Sequence, residues 1–212
     1  MLNKNSVKSE FTKPYYTLGK YSEETENIWF IFHGYGQLAE YFAKNFEDLS
    51  SNKTYFIFPQ APSKCYIDND FNKVGASWLT KNEIEEEIEN NFNYLNGILA
   101  LEKIDLSKVK INGFGFSQGV SMLVRWFASK KIMVEKMILW AGKSPTTFLD
   151  DKNILSPKKL YFVMGNNDPL KEYLNLEEEL PRLEKQFSVK VNFIEYEGAH
   201  KVNKEIVKHL LE

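Results

Sequence analysis

The sequence holds a single cysteine, Cys65, in 212 residues. It can therefore form no internal disulfide and no thiolate metal cluster, and its thiol fits a reducing compartment. No stretch approaches eighteen consecutive apolar residues, so no membrane-spanning helix or stable membrane insertion is expected. The segment Met1–Ser6 lacks the apolar core of a secretory signal, which makes a cytoplasmic location the expectation. Net charge is only −2, which gives neither nucleic acid nor an anionic membrane an electrostatic reason to bind. Repeats, low-complexity tracts and a second-domain boundary are all missing. Histidine is scarce as well, with three in the chain, so any chemistry that needs an imidazole has few candidates.

What remains is ordinary in bulk and informative in order. Hydrophobic content of 43% with 26% charged residues suits one domain large enough to bury a real core. Residues 1–14 read as a polar, flexible N-terminal arm, and 15–212 as the domain. Tyr15–Leu18 is a candidate edge strand. Continuous apolar runs at Ile28–Phe32, Thr54–Phe58, Val109–Asn112, Met137–Trp140, Leu160–Met164 and Val189–Tyr196 read as strands, most of them buried on both faces. Helical spacing occupies Leu38–Leu49, Glu83–Leu101, the run after Gly119, Lys171–Phe187 (with an interruption expected at Pro181) and Val202–Leu211. Strands alternating with helices predict a mostly parallel central sheet with helices on both faces. The connection 63–80 reads as a long loop of functional rather than filler character. The acidic run Glu83–Glu89 reads as a solvated helix face, and no metal site is expected.

Ligands of such sheets bind beyond the carboxyl ends of the strands. His33, Gly34, Pro59, Ser117, Gly142, Asp168 and His200 all fall just after expected strands, so small and polar residues collect on one rim. Among them, Gly115-Phe116-Ser117-Gln118-Gly119 stands between a strand and a helix in the G-x-S-x-G pattern of a nucleophile elbow. Backbones crowd at such a turn, which is why glycines flank the serine two residues away. A serine hydroxyl needs a base, and the base needs an orienting acid. His200, in a post-strand loop behind Gly198, is the candidate base, and His33 reads as a structural hydrogen-bonder. Asp168 follows a strand and completes the chain order Ser, Asp, His. Asp150 and Asp151 satisfy that order too, but lie in a polar stretch away from any strand end. The backbone N–H groups of Tyr35 and Gln118 are the candidate oxyanion donors. Gly34, Trp78, Phe116 and Trp140 are candidates for substrate contact.

Together these residues resemble the acyl-protein thioesterase / carboxylesterase (phospholipase/carboxylesterase) family of α/β-hydrolases. His33-Gly34-Tyr35-Gly36, Pro59-Gln60-Ala61-Pro62, Ser77-Trp78-Leu79, Gly165-x-x-Asp168 and Gly198-x-His200 are similar to its motifs, and Gly115–Gly119 matches fully. The sequence departs from the family pattern at Gln37–Glu40, Thr80, Val120 and Pro169. The resemblance implies a single-domain α/β-hydrolase fold and hydrolysis of a small-molecule ester or thioester by Ser117, Asp168 and His200, an EC 3.1-type activity without cofactor. No large lid is visible, which favours short-to-medium acyl chains. A non-catalytic binding protein on the same fold, and a peptidase or aminoacyl hydrolase, are the alternatives.

Overall fold

Alternate residues of the central strands carry apolar side chains to opposite faces, and helices cover both. The computed structural model describes residues 2–130, 132–146 and 156–211. Among these, β1 (Tyr15–Leu18), β2 (Asn27–Phe32), β3 (Thr54–Pro59), β6 (Lys110–Phe116), β7 (Val134–Trp140), β8 (Lys159–Gly165) and β9 (Val191–Tyr196) form one seven-stranded sheet. Its order is β1-β3-β2-β6-β7-β8-β9, parallel except for the antiparallel edge strand β1. Ile28, Phe30 and Phe32 of β2 enter one core, with Met137 and Leu139 of β7 and Leu160 and Phe162 of β8. That core is closed by α2 (Ile84–Glu102), α3 (Gln118–Lys130) and α5 (Leu176–Phe187), through Leu95, Ile98, Leu123, Trp126, Leu183 and Phe187. Trp29, Ile31, Phe114, Phe116, Ile138 and Trp140 face the other side, under α1 (Ala39–Phe42) and α6 (Lys204–Leu211). Each such aliphatic or aromatic side chain, fully buried, contributes roughly 1.5–3 kcal/mol.

The chain runs outward from β2 to β3, then returns across β2 to begin β6 and continues the other way. The strand order therefore reverses between β2 and β6, and a crevice opens there beyond the strand ends. Ser117 follows β6 and the His33–Gln37 turn follows β2, so both stand at that reversal.

Three local expectations are revised. Residues 63–80 are not a plain loop: β4 (Ser63–Tyr66) and β5 (Val74–Ser77) pair as a separate hairpin. Leu38–Leu49 is not one helix but α1 followed by two 3₁₀ turns, at Ala43–Asn45 and Glu47–Leu49. Asn45 Nδ2 donates to the Phe42 carbonyl at 2.8 Å, a local side-chain bond that competes with helix continuation. Finally, the break in 171–187 falls at Asn175 (φ +42°), between α4 (Lys171–Leu174) and α5, while Pro181 lies inside α5. Asn tolerates the left-handed region that ends one helix and starts the next.

Candidate active site

Ser117 occupies the left-handed region (φ +53°), the strained turn that a nucleophile elbow requires. Its N–H donates to the Trp140 carbonyl at 2.8 Å, and its own carbonyl accepts from Val120 N–H at 3.1 Å. The glycines around it are set by close approach. A Cβ on Gly119 would lie 2.3 Å from the Phe32 carbonyl oxygen, and one on Gly142 would lie 2.2 Å from that of Ser117. Side chains at these positions would push the elbow off β2 and β7.

Asp168 and His200 are brought together although 32 residues separate them. His200 Nδ1 lies 2.7 Å from Asp168 Oδ2, and Leu170 N–H donates to Asp168 Oδ1 at 2.8 Å. The Asp168 side chain is fully buried and that of His200 is 28% exposed. The two loops are stitched to each other, with Asn167 N–H donating to the Gly198 carbonyl at 2.9 Å and Gly198 N–H to Asn166 Oδ1 at 3.1 Å. Gly165 permits this contact, since a Cβ there would fall 2.3 Å from the Gly198 oxygen. The Tyr196 hydroxyl lies against the carbonyls of Ala199 (3.2 Å) and Lys201, and accepts from Trp140 Nε1–H at 3.3 Å. Burial pushes that phenol above its ordinary range, so it remains a donor. The His200 ring rests 4.7 Å, centroid to centroid, from Phe116. Ser117 Oγ and His200 Nε2 have no hydrogen-bond partner among the described residues, so the structure bonds His200 to Asp168 but not to Ser117.

The turn after β2 is tied on three sides. Gly34 N–H donates to Gln37 Oε1 at 2.8 Å, Gly36 N–H to the Ala76 carbonyl at 2.8 Å, and Gln37 N–H to the Gly34 carbonyl at 3.3 Å. Between them, the Tyr35 N–H has no acceptor among the described residues. Nor has the Gln118 N–H, at the N-terminus of α3. Two free amide donors thus flank the reversal of strand order, one beside β2 and one beside Ser117.

The four residues expected to contact substrate differ in placement. Gly34 is part of the turn, and Phe116, 2% exposed, packs between it and His200. Trp78 and Trp140 are wholly buried. Trp78 packs on Phe32 and His33 and donates its indole N–H to the His33 carbonyl at 2.8 Å. Trp140 packs on Phe114 and Tyr196. His33 is buried as well: Nδ1–H donates to the Gly34 carbonyl at 2.8 Å and Nε2 accepts from Ala61 N–H at 3.1 Å. Desolvation lowers its pKa from 6.5 to about 4, so it is held neutral, as a structural hydrogen-bonder must be. Asp150 and Asp151 lie outside the described residues. Of the departures from the family pattern, Gln37 braces the turn and Thr80 bonds to Glu87 of α2. Of the side chains that support this region, Ser77 and Gln118 lie in motifs the sequence displays, though without any sign of their side-chain bonds, and Asn91 carried no signal in the sequence.

A mostly parallel sheet with helices on both faces, and a serine in a tight turn where the strand order reverses, define the α/β-hydrolase class. The profile of the phospholipase/carboxylesterase family matches residues 19–212, and the chain belongs to that family. Among solved structures it is similar to Zea mays acyl-protein thioesterase 2, with a TM-score of 0.68 at 16% identity over 93% of this chain and 96% of that one. Similar too are Arabidopsis thaliana SOBER1 (0.63, 18%, over 87% and 94%) and a carboxylesterase from Mesorhizobium loti (0.63, 15%, over 94% and 94%). No curated protein sequence gives a match. Among the described residues no helix is long and apolar enough to cross a membrane.

Proposed function

We propose that this chain is a serine hydrolase that cleaves carboxylic esters or thioesters of short-to-medium acyl chains through an acyl-enzyme. The observation that carries the reading is the 2.7 Å contact of His200 Nδ1 with the buried Asp168 carboxylate, on the rim where Ser117 sits in its elbow. In this reading His200 Nε2 takes the Ser117 proton as Oγ attacks the acyl carbon. The oxyanion forms against the N–H groups of Tyr35 and Gln118. Collapse breaks the bond to the leaving oxygen or sulfur, which receives the proton from His200 and departs as alcohol or thiol. Water then attacks the acyl-enzyme, giving its proton to His200, which returns it to Ser117 as the carboxylic acid leaves. Asp168 holds the imidazole tautomer and offsets its transient charge.

Exposed apolar side chains beside the oxyanion turn support an acyl substrate. Tyr35, Tyr66, Ile67 and Phe71 are all exposed, and Ile67 Cγ2 lies 3.9 Å from the Cβ position of Gly36. Gly34 and Phe116 are the proposed walls next to the reacting carbonyl, with Trp78 and Trp140 behind them.

The test is labelling with a fluorescent fluorophosphonate, beside Ser117→Ala, followed by p-nitrophenyl esters and acyl thioesters of increasing chain length. Label confined to the wild type, on Ser117 by mass spectrometry, is the expected result. Folded wild-type protein that neither labels nor hydrolyses would favour the binding-protein alternative.

A further inference from the structure

One short stretch, Gly75–Leu79, touches both halves of the proposed oxyanion site. On one side β5 holds the turn after β2: the Ala76 carbonyl accepts from Gly36 N–H at 2.8 Å, and Gln37 bridges to Ala76. The packing is close enough that a Cβ on Gly75 would lie 2.4 Å from the Gly36 oxygen. On the other side, the stretch holds the side chain of Gln118. Gln118 Oε1 accepts from Trp78 N–H at 2.9 Å, while Nε2 donates to the Leu79 carbonyl at 2.7 Å and to Ser77 Oγ at 3.1 Å. A carboxamide that both accepts and donates pairs with a backbone much as another peptide group would.

The stretch is itself pinned. All three polar groups of Trp78 are engaged, N–H to Gln118, carbonyl to Asn91 Nδ2 at 2.9 Å, and indole N–H to the His33 carbonyl at 2.8 Å. Trp78, Ala76 and Asn91 are each buried to within about a hundredth of full burial, so the clamp is shielded from bulk solvent, and its hydrogen bonds are stronger there than in water. Nothing in the reaction itself requires the Gln118 side chain, since the donor is its backbone N–H.

Resting on the hydrolase reading above, we propose that Gln118 is a positioning residue, its carboxamide fixing the distance between its own N–H and that of Tyr35 through the Gly75–Leu79 strap. The two donors come from different strand ends, after β2 and β6, and the strap is the element that bonds to both. An oxyanion hole acts by preorganisation, so the clamp should matter in the transition state and little in substrate binding.

The experiment compares wild type with Gln118→Met, which keeps the length of the side chain and removes its hydrogen bonds. Active sites are counted by end-point fluorophosphonate titration, so that unfolded molecules drop out of the rate. Turnover per titrated site is expected to fall about 10- to 100-fold, the range for a misplaced rather than a deleted donor. KM should stay within about twofold, and the affinity of a trifluoromethyl ketone should fall with kcat/KM. Should Gln118→Met fail to fold by circular dichroism, Gln118→Glu carries the same test. It keeps an acceptor for Trp78 N–H and loses the donations to Leu79 and Ser77. Unchanged turnover per site, or a raised KM with unchanged kcat, overturns the inference while the hydrolase reading stands. Wild-type protein that does not label at Ser117 overturns both.

Discussion

Acid should weaken this fold through one residue that does no chemistry. His33 is fully buried, and both ring nitrogens are spoken for, by the Gly34 carbonyl at 2.8 Å and Ala61 N–H at 3.1 Å. Burial lowers its pKa from 6.5 to about 4. Below 6.5 the unfolded chain takes up a proton that the folded chain refuses, so unfolding gains free energy as pH drops. The stability that His33 neutrality provides is whole above pH 6.5 and is lost as pH falls to about 4, where the native ring protonates too. The gap between those two values corresponds to about 3 kcal/mol. Urea denaturation of wild type and His33→Gln across this range isolates the effect, because every other titrating group is common to both. At neutral pH the variant should be less stable by about 1–3 kcal/mol, for a polar partner left imperfectly paired. As pH falls toward 4 the difference should close or reverse, since the variant has nothing to protonate. Denaturation free energies that run parallel at all pH values would refute the reasoning.

Other perturbations follow from single contacts. Asp168→Asn keeps the shape beside His200 but removes the charge and favours the wrong imidazole tautomer, so kcat should fall by about 10⁴ with the fold intact, read by steady-state kinetics beside circular dichroism. Gly119→Ala puts a methyl 2.3 Å from the Phe32 oxygen, and should lower stability by about 1–3 kcal/mol or more in chemical denaturation, with fluorophosphonate labelling slowed as the elbow shifts. Glu179, 3% exposed, pairs with Arg182 at 2.5 Å and accepts from Ser144 N–H at 3.3 Å. Glu179→Ala should cost about 2–4 kcal/mol, somewhat less than a fully buried pair because Arg182 keeps a quarter of its side chain in water, and denaturation midpoints check it.

The central strands were legible because parallel strands buried on both faces carry continuous apolar runs, as Ile28–Phe32 of β2, Tyr55–Phe58 of β3, Met137–Trp140 of β7 and Leu160–Met164 of β8 do. The elbow was legible for a related reason: Gly115 and Gly119 answer to steric contacts, since a Cβ there would lie 2.7 and 2.3 Å from backbone atoms. The hairpin β4–β5 was not, since Ser63–Tyr66 is exposed throughout and its partner reads Val-Gly-Ala-Ser, so neither strand alternates. Its order comes from pairing with each other and from Gly36 and Gln37, which are distant in sequence. Trp78 shows the same limit from another side. An aromatic near the rim looks like a pocket wall in a sequence, and only its three hydrogen bonds reveal a strut. Long-range polar contacts of this kind leave no periodic trace.

The two histidines on the rim show why position after a strand cannot by itself nominate a base. A general base needs an unengaged nitrogen lone pair and room for the imidazolium that forms. His33 has neither: Nε2 already accepts from Ala61, the ring is shut off from water, and among the described residues no carboxylate contacts it to offset a charge. His200 differs in each respect. Its Nδ1 is taken by Asp168, its Nε2 is without a partner among the described residues, and its side chain keeps 28% of its surface. A charge formed on His200 meets a buried carboxylate at 2.7 Å, where low local polarity strengthens the attraction. The same proton on His33 would go to Nε2, against the Ala61 N–H, and among the described residues only the Gly34 carbonyl at Nδ1 would offset the charge. Exchanging the roles would require moving a carboxylate, which is why the proposed mechanism assigns proton transfer to His200 and leaves His33 to hold the oxyanion turn in place.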